Sequence, residues 1–430
     1  MQLISIAIGK FIFRLLRLFG RTGSALPGLV IEKLNPHFLP TLLRQLPYGV
    51  IVVSGTNGKT TTTKISTALL ESQGLRVLTN RTGSNFVRGI ISVVIDKARW
   101  NSELPYDIAI FEQDEAHAVR FAHQVKPRGV VILNVMRDQM DRFGEIDTTR
   151  QMLQQLVSAA TDWVTLNAND ERVSHLQAAP NVKTYWYAHS KELQPDFLTD
   201  DQLYHAESVA YHLAAQPTVL LTGYTDCDVS LTIRGKKRHY EYALQGGHNA
   251  LNLTAAMTLL CAVVPKYNET KLKATLRELQ PAFGRGEIIT LPSGGSLTLQ
   301  LVKNPGGFTQ ALRMLELKTY SVIGIAINDD YPDGRDVSWL WDVDFSNLSS
   351  QPSILCGGTR AADMANRLKY DDCKNMAVEG AIPEYATILD ATVAQAKGEA
   401  ILFCTYTAMR KLRALYLGNR SGLDEEDVDI

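Results

Sequence analysis

The run VVSGTNGKTTTT carries the clearest chemistry in this chain. A β-branched strand ends there at a short glycine turn that leads straight into a predicted helix, and the residues of the turn and helix start are Gly55, Thr56, Asn57, Gly58, Lys59, Thr60 and Thr61. Glycines let backbone N–H groups turn toward an anion, and a helix N-terminus adds partial positive charge. The lysine of such a loop reaches the outer phosphates, and the hydroxyl that follows it ligates Mg²⁺. The run therefore predicts a nucleoside triphosphate site, in a loop two residues shorter than the usual Walker A.

Three acids come at the end of the next strand-like run, in FEQDEAH. A carboxylate that faces a phosphate loop can hold the Mg²⁺ that bridges the β- and γ-phosphates. We assign this role to Glu112 because it directly ends the strand. Asp114 and Glu115 stay open between site acids and solvated acids of a first helical turn, where the helix dipole favours them.

Alternating strand-like and helix-like runs must position these residues. GVIVVSG (49–55), YDIAIFE (106–112) and GVVILNV (129–135) are continuous β-branched stretches, typical of strands buried on both faces of a parallel sheet. With helical runs between them, they predict an α/β fold whose doubly wound, mostly parallel sheet has its ligand crevice at the carboxyl ends of the strands. After Pro281 the runs SLTLQLV, YSVIGIAIN, PSILCGG and AILFCTY predict a second, Rossmann-like α/β domain.

These patterns divide the chain into three parts. Residues 1–45 hold a basic amphipathic helix and a lead-in, residues 46–280 the central nucleotide-binding domain, and residues 281–430 the C-terminal domain. Within the central domain, residues 178–244 show no clear periodicity of apolar residues, so we interpret them as an inserted subdomain.

Length, composition and charge describe an ordinary globular enzyme. The 430 residues allow two or three domains, and 45% apolar with 21% charged residues excludes a fibrous or disordered chain. Lys+Arg 44 against Asp+Glu 45 leaves a net charge of −1, so no overall field draws the molecule onto nucleic acid. Five cysteines without a C-x-x-C pair argue against a disulfide framework and indicate a cytoplasmic protein; they are Cys227, Cys261, Cys356, Cys373 and Cys404.

The N-terminal run MQLISIAIGKFIFRLLRLFGRTG is apolar but is interrupted by four cations, Lys10, Arg14, Arg17 and Arg21. The cations follow the apolar residues, unlike those of a secretory signal, and they break the run before a membrane span accumulates. Their spacing predicts a helix with one basic stripe. Two interpretations stay open: a helix docked on its own protein, or one that lies at the inner face of the cell membrane.

Several motifs in one order resemble the ATP-dependent Mur ligase superfamily. They are GTNGKTTTT, the acid-bearing strand end, ILNVMRDQMDRFGE (132–145), LNANDE (166–171), GGHNALN (246–252) and FGRGE (283–287). The C-terminal runs LVKNPGGFTQAL, INDDYPDGRDVSWLWDVDF, GGTRAADMANRLKY and TYTAMRKLR resemble the MurT-type subunits of lipid II isoglutaminyl synthase. The resemblance covers nearly the whole chain.

This resemblance implies a ligase of peptidoglycan synthesis that uses ATP and Mg²⁺. The α-carboxylate of D-glutamate in lipid II would be phosphorylated, and ammonia from a GatD-type glutaminase subunit would displace the phosphate to give D-isoglutamine. Lys59 and Thr60 would then hold the γ-phosphate and the metal, and Asn252 would lie near the adenine. Arg285 would contact phosphate from across the domain seam, and Lys303 would bring a cation from the C-terminal domain, so catalysis would require domain closure.

The resemblance also implies a role for the segment DVSW, in which Asp336 would reach into the glutaminase and orient its catalytic histidine. Such an acceptor fixes the imidazole tautomer and completes a Cys-His-Asp arrangement. We expect Asp336 to be exposed, with Asp333 and Asp342 as alternatives for the same role. Without the resemblance, acids beside tryptophans at a strand end simply cap a turn.

Departures from the wider superfamily separate the possible reactions. Gln139 stands where Mur ligases that add amino acids have a metal-binding histidine, and no lysine lies between Asp141 and Asn167, where they carry a carbamylated lysine. Both departures weigh against a Mur-type ligase that adds an amino acid to a soluble precursor, and the intact GKT, Glu112 and Arg285 weigh against a nucleotide-binding scaffold without chemistry.

Two further regions depart from the pattern or lack an assigned role. Cys227 alone remains of the four-cysteine zinc ribbon of MurT-type subunits, and because one thiolate cannot close a structural zinc site, we expect no zinc. The run NRTGSNF (80–86) is predicted to help bind substrate or phosphate. How many copies of the chain assemble stays open.

Overall fold

The computed structural model describes residues 1–18, 25–80, 86–136, 146–197, 210–281, 284–351 and 353–418. Its strands form two sheets, one of nine strands and one of six. The break between the sheets falls between Glu241 and Arg285. Each sheet is covered by helices, so the predicted α/β class with two sheet domains is confirmed.

The nine-stranded sheet has the order β2-β3-β1-β4-β5-β6-β7-β8-β9. Its strands are β1 (Val50–Ser54), β2 (Val77–Thr79), β3 (Ile108–Glu112), β4 (Gly129–Ile132), β5 (Trp163–Asn167), β6 (Lys183–His189), β7 (Val219–Tyr224), β8 (Asp228–Ile233) and β9 (Lys236–Glu241). From β2 to β7 neighbouring strands are parallel, and β8 and β9 are antiparallel. Val52 of β1 faces one hydrophobic core and Ile51 the other, as the continuous apolar run predicts. Strands β1 and β3 are neighbours, so their carboxyl ends meet at one sheet edge.

Helices on both faces complete the first domain. They are α1 (Gln2–Leu18), α2 (Ala25–Leu34), α3 (Phe38–Leu43), α4 (Lys59–Ser72), α5 (Val87–Lys97), α6 (Glu115–Gln124), α7 (Ile146–Ala159), α8 (Glu171–Ser174), α9 (Gly247–Val263) and α10 (Glu269–Glu278). Helix α9 packs along α4, the helix that starts at the glycine turn. It is apolar on nearly every side because α4 and β5–β7 surround it, so α4 is held from behind by a buried helix.

The described residues of the stretch 178–244 differ from our prediction, because they do not form a separate inserted subdomain. Strand β6 pairs in parallel with β5, and β7 to β9 extend the same sheet to its edge. Tyr187 and Val219 belong to the same hydrophobic core as Ile51. The period is lost in the sequence because these outer strands are only partly covered, and β9, KKRHYE, is exposed at nearly every position.

The six-stranded sheet has the order β10-β11-β15-β12-β13-β14, with β10 antiparallel to β11 and the other pairs parallel. Its strands are β10 (Arg285–Thr290), β11 (Ser296–Leu301), β12 (Val322–Ala326), β13 (Ile354–Gly357), β14 (Met376–Glu379) and β15 (Glu399–Cys404). Its helices are α11 (Pro305–Leu312), α12 (Met314–Leu317), α13 (Ala361–Tyr370), α14 (Ile382–Ala396) and α15 (Tyr406–Leu417). The four strand-like runs predicted after Pro281 correspond to β11, β12, β13 and β15.

The basic amphipathic helix predicted at the N-terminus is α1, which packs on α2 and α5. Ile6 is fully buried there, and Gly9 lies so close to Ile95 that a Cβ would be 2.7 Å from its Cγ2 atom. The helix is therefore docked on its own protein. Over the described ranges, we find no helix whose length and apolarity would suffice to cross a membrane.

Candidate active site

The phosphate loop joins β1 to α4 at residues 55–58, as the sequence predicts. Gly55 has a φ of +120° and Gly58 a φ of +89°, conformations that side chains rarely adopt. A Cβ on Gly58 would lie 2.2 Å from Asn252 Oδ1, so the close approach of α9 also requires glycine. The loop therefore has the backbone of an anion cradle, with the N-terminus of α4 at its end.

Lys59 curls back over this loop. Its Nζ donates to the carbonyl oxygens of Gly55 at 2.7 Å and Thr56 at 3.2 Å, and it pairs with Asp114 Oδ1 at 3.2 Å. The residue is only 7% exposed. The ammonium group is thus fixed inside the loop, where the outer phosphates of a bound nucleotide would lie.

The predicted metal ligands Thr60 and Glu112 are in direct contact. Thr60 Oγ1 donates to Glu112 Oε1 at 3.1 Å, because the first turn of α4 faces the end of β3. Asn80 holds the backbone of Glu112 by two hydrogen bonds, one to its N–H and one to its carbonyl. Burial raises the pKa of Glu112, although the hydrogen bond from Thr60 and the charge of Arg285 oppose this. A hydroxyl beside a buried carboxylate is a donor set that suits Mg²⁺, whose charge favours the ionised carboxylate.

Asp114, which the sequence left open, belongs to this site. Burial alone would raise the pKa of its carboxyl, but the nearby charges of Lys59 and Lys303 lower it to about 2. Lys303 belongs to the C-terminal domain, so charges from both domains favour the ionised form of Asp114. Asp114 is therefore ionised at any physiological pH.

A cavity lies between the two domains in front of the loop. From the central domain its walls include Asn57, Gly58, Thr61, Asn252 and His248, and from the C-terminal domain Arg285, Gln300, Lys303 and Gly307. The structure thus brings together the predicted residues Asn252, Arg285 and Lys303. Gln300 is buried, and among the residues that the structure describes its Oε1 has no hydrogen-bond partner. Together with the glycine cradle, this orphaned acceptor fits a cavity that takes a polar ligand such as ATP.

Two asparagines, Asn57 of the central domain and Asn304 of the C-terminal domain, connect the two walls of the cavity by hydrogen bonds. Asn304 Nδ2 donates to Asn57 Oδ1 at 3.0 Å, and Asn57 Nδ2 donates back at 3.4 Å. Asn304 Oδ1 also caps α11 by accepting from Gly307 N at 2.7 Å. Sequence reasoning missed Asn304, although Asn-Pro-Gly-Gly is a typical helix start with proline at the first helical position.

Rings from residues 178–244 also line the cavity, and sequence reasoning missed them. His189 stacks on Phe197 with ring centroids 4.8 Å apart. Burial lowers the pKa of His189, and burial together with the charge of Arg285 lowers the pKa of His248 to about 4. Both imidazoles are therefore neutral at neutral pH and offer flat, uncharged surfaces to a ligand.

Arg285 and Asn252 sit close to the loop itself. Arg285 is near Glu112, whose charge offsets part of the lowering of the arginine pKa by burial. Asn252 Oδ1 accepts from Thr62 Oγ1 at 3.4 Å. The adenine contact assigned to Asn252 stays a prediction.

The DVSW segment (336–339) does not line this cavity. Asp336 is exposed and accepts a hydrogen bond from the N–H of Ser338 at 2.8 Å. Asp342 is exposed as well, but Asp333 is buried and both its oxygens accept hydrogen bonds from Thr407. Asp333 therefore fixes the start of α15, which removes it as an alternative for a role at a partner surface.

Several predicted features remain untested by the structure. Gln139 and residues 81–85 of the run 80–86 lie outside the described residues. Cys227 is exposed and is not part of a disulfide. In the described part of the chain, no group of three or more His, Cys, Asp or Glu side chains could hold a metal ion.

Comparisons with known proteins match both halves of the chain. The Mur ligase middle domain matches residues 53–260, and the MurT ligase C-terminal domain matches residues 301–409. The MurT subunit of lipid II isoglutaminyl synthase (glutamine-hydrolyzing) from Staphylococcus aureus is 30% identical over 86% of this chain and 87% of its own. The subunit of that name from Streptococcus pneumoniae is also 30% identical, over 91% of this chain and 92% of its own.

Solved structures of low identity share the fold. MurF from Acinetobacter baumannii superposes with a TM-score of 0.69 at 16% identity, over 92% of this chain and 80% of that one. MurF ligase from Thermotoga maritima, solved in complex with ADP, gives 0.67 at 14% identity, over 94% and 84%. The fold is thus that of Mur ligases, and the identity to curated relatives along most of the chain assigns it further: the protein belongs to the MurT family of Mur ligase-like enzymes.

Proposed function

We propose that this protein is the ATP-dependent subunit of a lipid II isoglutaminyl synthase. The observation that carries the proposal is the arrangement of Lys59, Thr60 and Glu112 at the phosphate loop, with Arg285 and Lys303 of the C-terminal domain lining the cavity in front of that loop. Phosphoryl transfer depends mainly on positioning and on neutralising charge, so such a cavity needs few groups that react covalently.

The proposed reaction has two steps. An oxygen of the D-glutamate α-carboxylate attacks the γ-phosphorus of ATP, ADP leaves, and an acyl phosphate forms. Ammonia then attacks the carbonyl carbon, and phosphate leaves to give D-isoglutamine. Lys59 and Lys303 would stabilise the charge of the transferring group, while Thr60 and Glu112 would hold Mg²⁺, which would supply further neutralisation of the phosphate charge.

The ammonia source in this proposal is a GatD-type glutaminase subunit. Three aromatic residues near the DVSW segment are exposed, Tyr331 at 72%, Trp341 at 51% and Tyr370 at 71%, and Trp341 packs edge-to-face on Tyr370. Aromatic side chains that are exposed in the free protein are often buried at the centre of the interface when a partner binds. Asp336 lies in the same segment and is available to accept a hydrogen bond from a partner's histidine.

The chain's own architecture supports amidation over the addition of an amino acid. Gln139 and the absence of lysine between Asp141 and Asn167 remove two groups that amino-acid-adding relatives are expected to carry. Ammonia has no side chain or carboxylate, so it needs less positioning than an amino acid does. The proposed location is the cytoplasm, where ATP and the lipid-linked substrate meet.

Reconstitution tests the proposal directly. The full chain is incubated with lipid II and MgATP, together with either the glutaminase and glutamine, ammonium chloride, or a mixture of amino acids. We expect mass spectrometry to show the amide of the D-glutamate residue with the first two nitrogen sources and no adduct with the amino acids. An amino-acid adduct, or ATP binding without any product from either source, would replace this function by one of the rivals named in the sequence analysis.

A further inference from the structure

Helix α1 has two apolar faces, and only one of them is covered by the protein. The inner face carries Ile6 and Gly9 and packs on α2 and α5. The outer face exposes large apolar side chains: Leu3 by 56%, Ile4 by 59%, Phe11 by 63%, Leu15 by 43% and Leu18 by 82%. Docking on the protein therefore explains half of the apolar residues of this helix and leaves the other half in water.

The exposed residues form one continuous stripe. Ile4, Phe11, Leu15 and Leu18 are spaced i, i+7, i+11 and i+14, which places them within one side of a helix of 3.6 residues per turn. A stripe that runs the length of the helix is a surface rather than a scatter of single exposed residues, which would need no explanation.

Positive charge borders this stripe. Lys10 Nζ lies 5.2 Å and the Arg14 guanidinium carbon 5.8 Å from the ring centre of Trp100, which is itself 55% exposed. The first acidic residue of the chain is Glu32, so the helix carries cations without compensating acids, although the whole chain has a net charge of −1. The border of the stripe is thus locally basic and aromatic.

We propose that the outer face of α1 docks the protein on an anionic phospholipid membrane. The 17 residues of the helix span about 26 Å, less than the roughly 30 Å of a hydrocarbon core, so the helix lies in the plane of the interface. Its apolar stripe enters the acyl boundary, Lys10 and Arg14 meet the phosphates, and Trp100 lies at headgroup level. A second copy of the chain fits less well, because its own cations would meet these.

This contact goes beyond the proposed reaction and does not rest on it, since it uses residues far in sequence from the phosphate loop and needs no nucleotide. It would hold the enzyme on the surface that carries a lipid-linked substrate. A failure of membrane binding would leave amidation of a detergent-dispersed substrate unaffected, so the two proposals fail separately.

Vesicle sedimentation of the full chain tests the proposal. Purified protein is spun with vesicles of phosphatidylcholine containing phosphatidylglycerol, or of phosphatidylcholine alone, at low and at high salt. We expect binding to the anionic vesicles that weakens with salt, and a loss of more than about ten-fold in partitioning for the double variant Phe11→Glu, Leu15→Glu. The variant Lys10→Glu, Arg14→Glu should lose the preference for the anionic lipid.

Ile288→Glu is the matched control, because Ile288 is 60% exposed on β10 and should leave binding unchanged. Circular dichroism and the melting temperature establish that the variants fold, as expected for exposed positions. Wild-type sedimentation no greater than without vesicles would overturn the proposal, as would equal binding of the Phe11→Glu, Leu15→Glu variant. Self-association that this variant abolishes, without vesicle binding, would assign the stripe to a second copy instead.

Discussion

The phosphate loop and the DVSW segment differ in where their side chains find partners. Lys59, Thr60 and Asp114 are bonded to groups of the same chain, and Lys59 is almost inaccessible. Asp336 instead is exposed, and it accepts a hydrogen bond from the N–H of Ser338, two residues further along the same turn. The loop is an electrostatic site that this chain builds by itself, whereas the segment presents a single acid outward.

The residues that directly follow the exposed segment nevertheless hold its C-terminal end in place. The Arg367 guanidinium donates to the carbonyls of Leu340 at 3.2 Å and Val343 at 2.6 Å, and it pairs with Asp371 at 2.7 Å. Arg367 also lies over the rings of Trp341 and Phe345. A segment that is exposed yet fixed is prepared to receive a partner with little ordering cost. Under the proposed function, the comparison separates phosphoryl transfer, which this chain would carry out, from the supply of ammonia, which would also need the glutaminase subunit.

The largest effect is expected from Lys59→Ala. The change removes the cation that pairs with Asp114 and that, under the proposed function, would stabilise the transferring phosphoryl group, so amidation should fall by more than about 1,000-fold with either glutamine or ammonium chloride. Initial rates of ADP release with both nitrogen sources measure this. Lys126→Ala, which removes an exposed lysine of the same domain, is the control. Equal activity of Lys59→Ala and the wild type would contradict the role of the phosphate loop as the electrostatic site of the reaction.

Asp336→Asn should separate the two nitrogen sources. The asparagine oxygen can still accept from the N–H of Ser338, so the turn is preserved, but it no longer stabilises a charged imidazole. Glutamine-driven amidation should fall by about 100-fold while ammonium-driven amidation stays unchanged. Asp342→Asn is the matched control, since Asp342 is an exposed aspartate three residues after the segment. A loss with Asp342→Asn and none with Asp336→Asn would move the role to Asp342.

The parts that could be predicted from the sequence are those in which neighbours in the chain become neighbours in space. The glycine loop is such a part, and Glu112 meets Thr60 because parallel strands β1 and β3 end at the same sheet edge. His189 and Phe197 could not be predicted, because they reach the cavity only when residues 178–244 join the central sheet. Asn304 meets Asn57 only when two domains dock, and no local pattern reports that packing.

Asn304→Ala tests whether the domain contact serves the loop. The change removes both the side-chain hydrogen bonds with Asn57 and the cap of α11. We expect the KM for ATP to rise about ten-fold, with a smaller fall in kcat. Asn304→Ser keeps a capping oxygen but cannot reach Asn57, so it separates the two causes. If Asn304→Ser behaves like the wild type and only Asn304→Ala is impaired, the residue acts through the helix cap alone.

The smallest effect is a pH dependence of stability in the cavity wall. Burial, with the charge of Arg285, lowers the pKa of His248 to about 4, below the value near 6.5 of an unfolded chain. Between these values the unfolded state binds a proton that the folded state does not, so the free energy of unfolding falls as the pH drops from 6.5 toward 4. Asp170 acts in the opposite direction, because burial raises its pKa to about 6.

His248→Gln isolates the histidine contribution from that of Asp170. Lowering the pH from 7.5 to 5 should destabilise the variant less than the wild type. Because the ring is only half-buried, we expect the two losses of stability to differ by about 1 kcal/mol. Urea unfolding at the two pH values measures it. If the change in unfolding free energy between the two pH values is the same in both proteins, His248 titrates as an exposed histidine would. The contrast between the closed cavity and the exposed DVSW segment would then not extend to this wall.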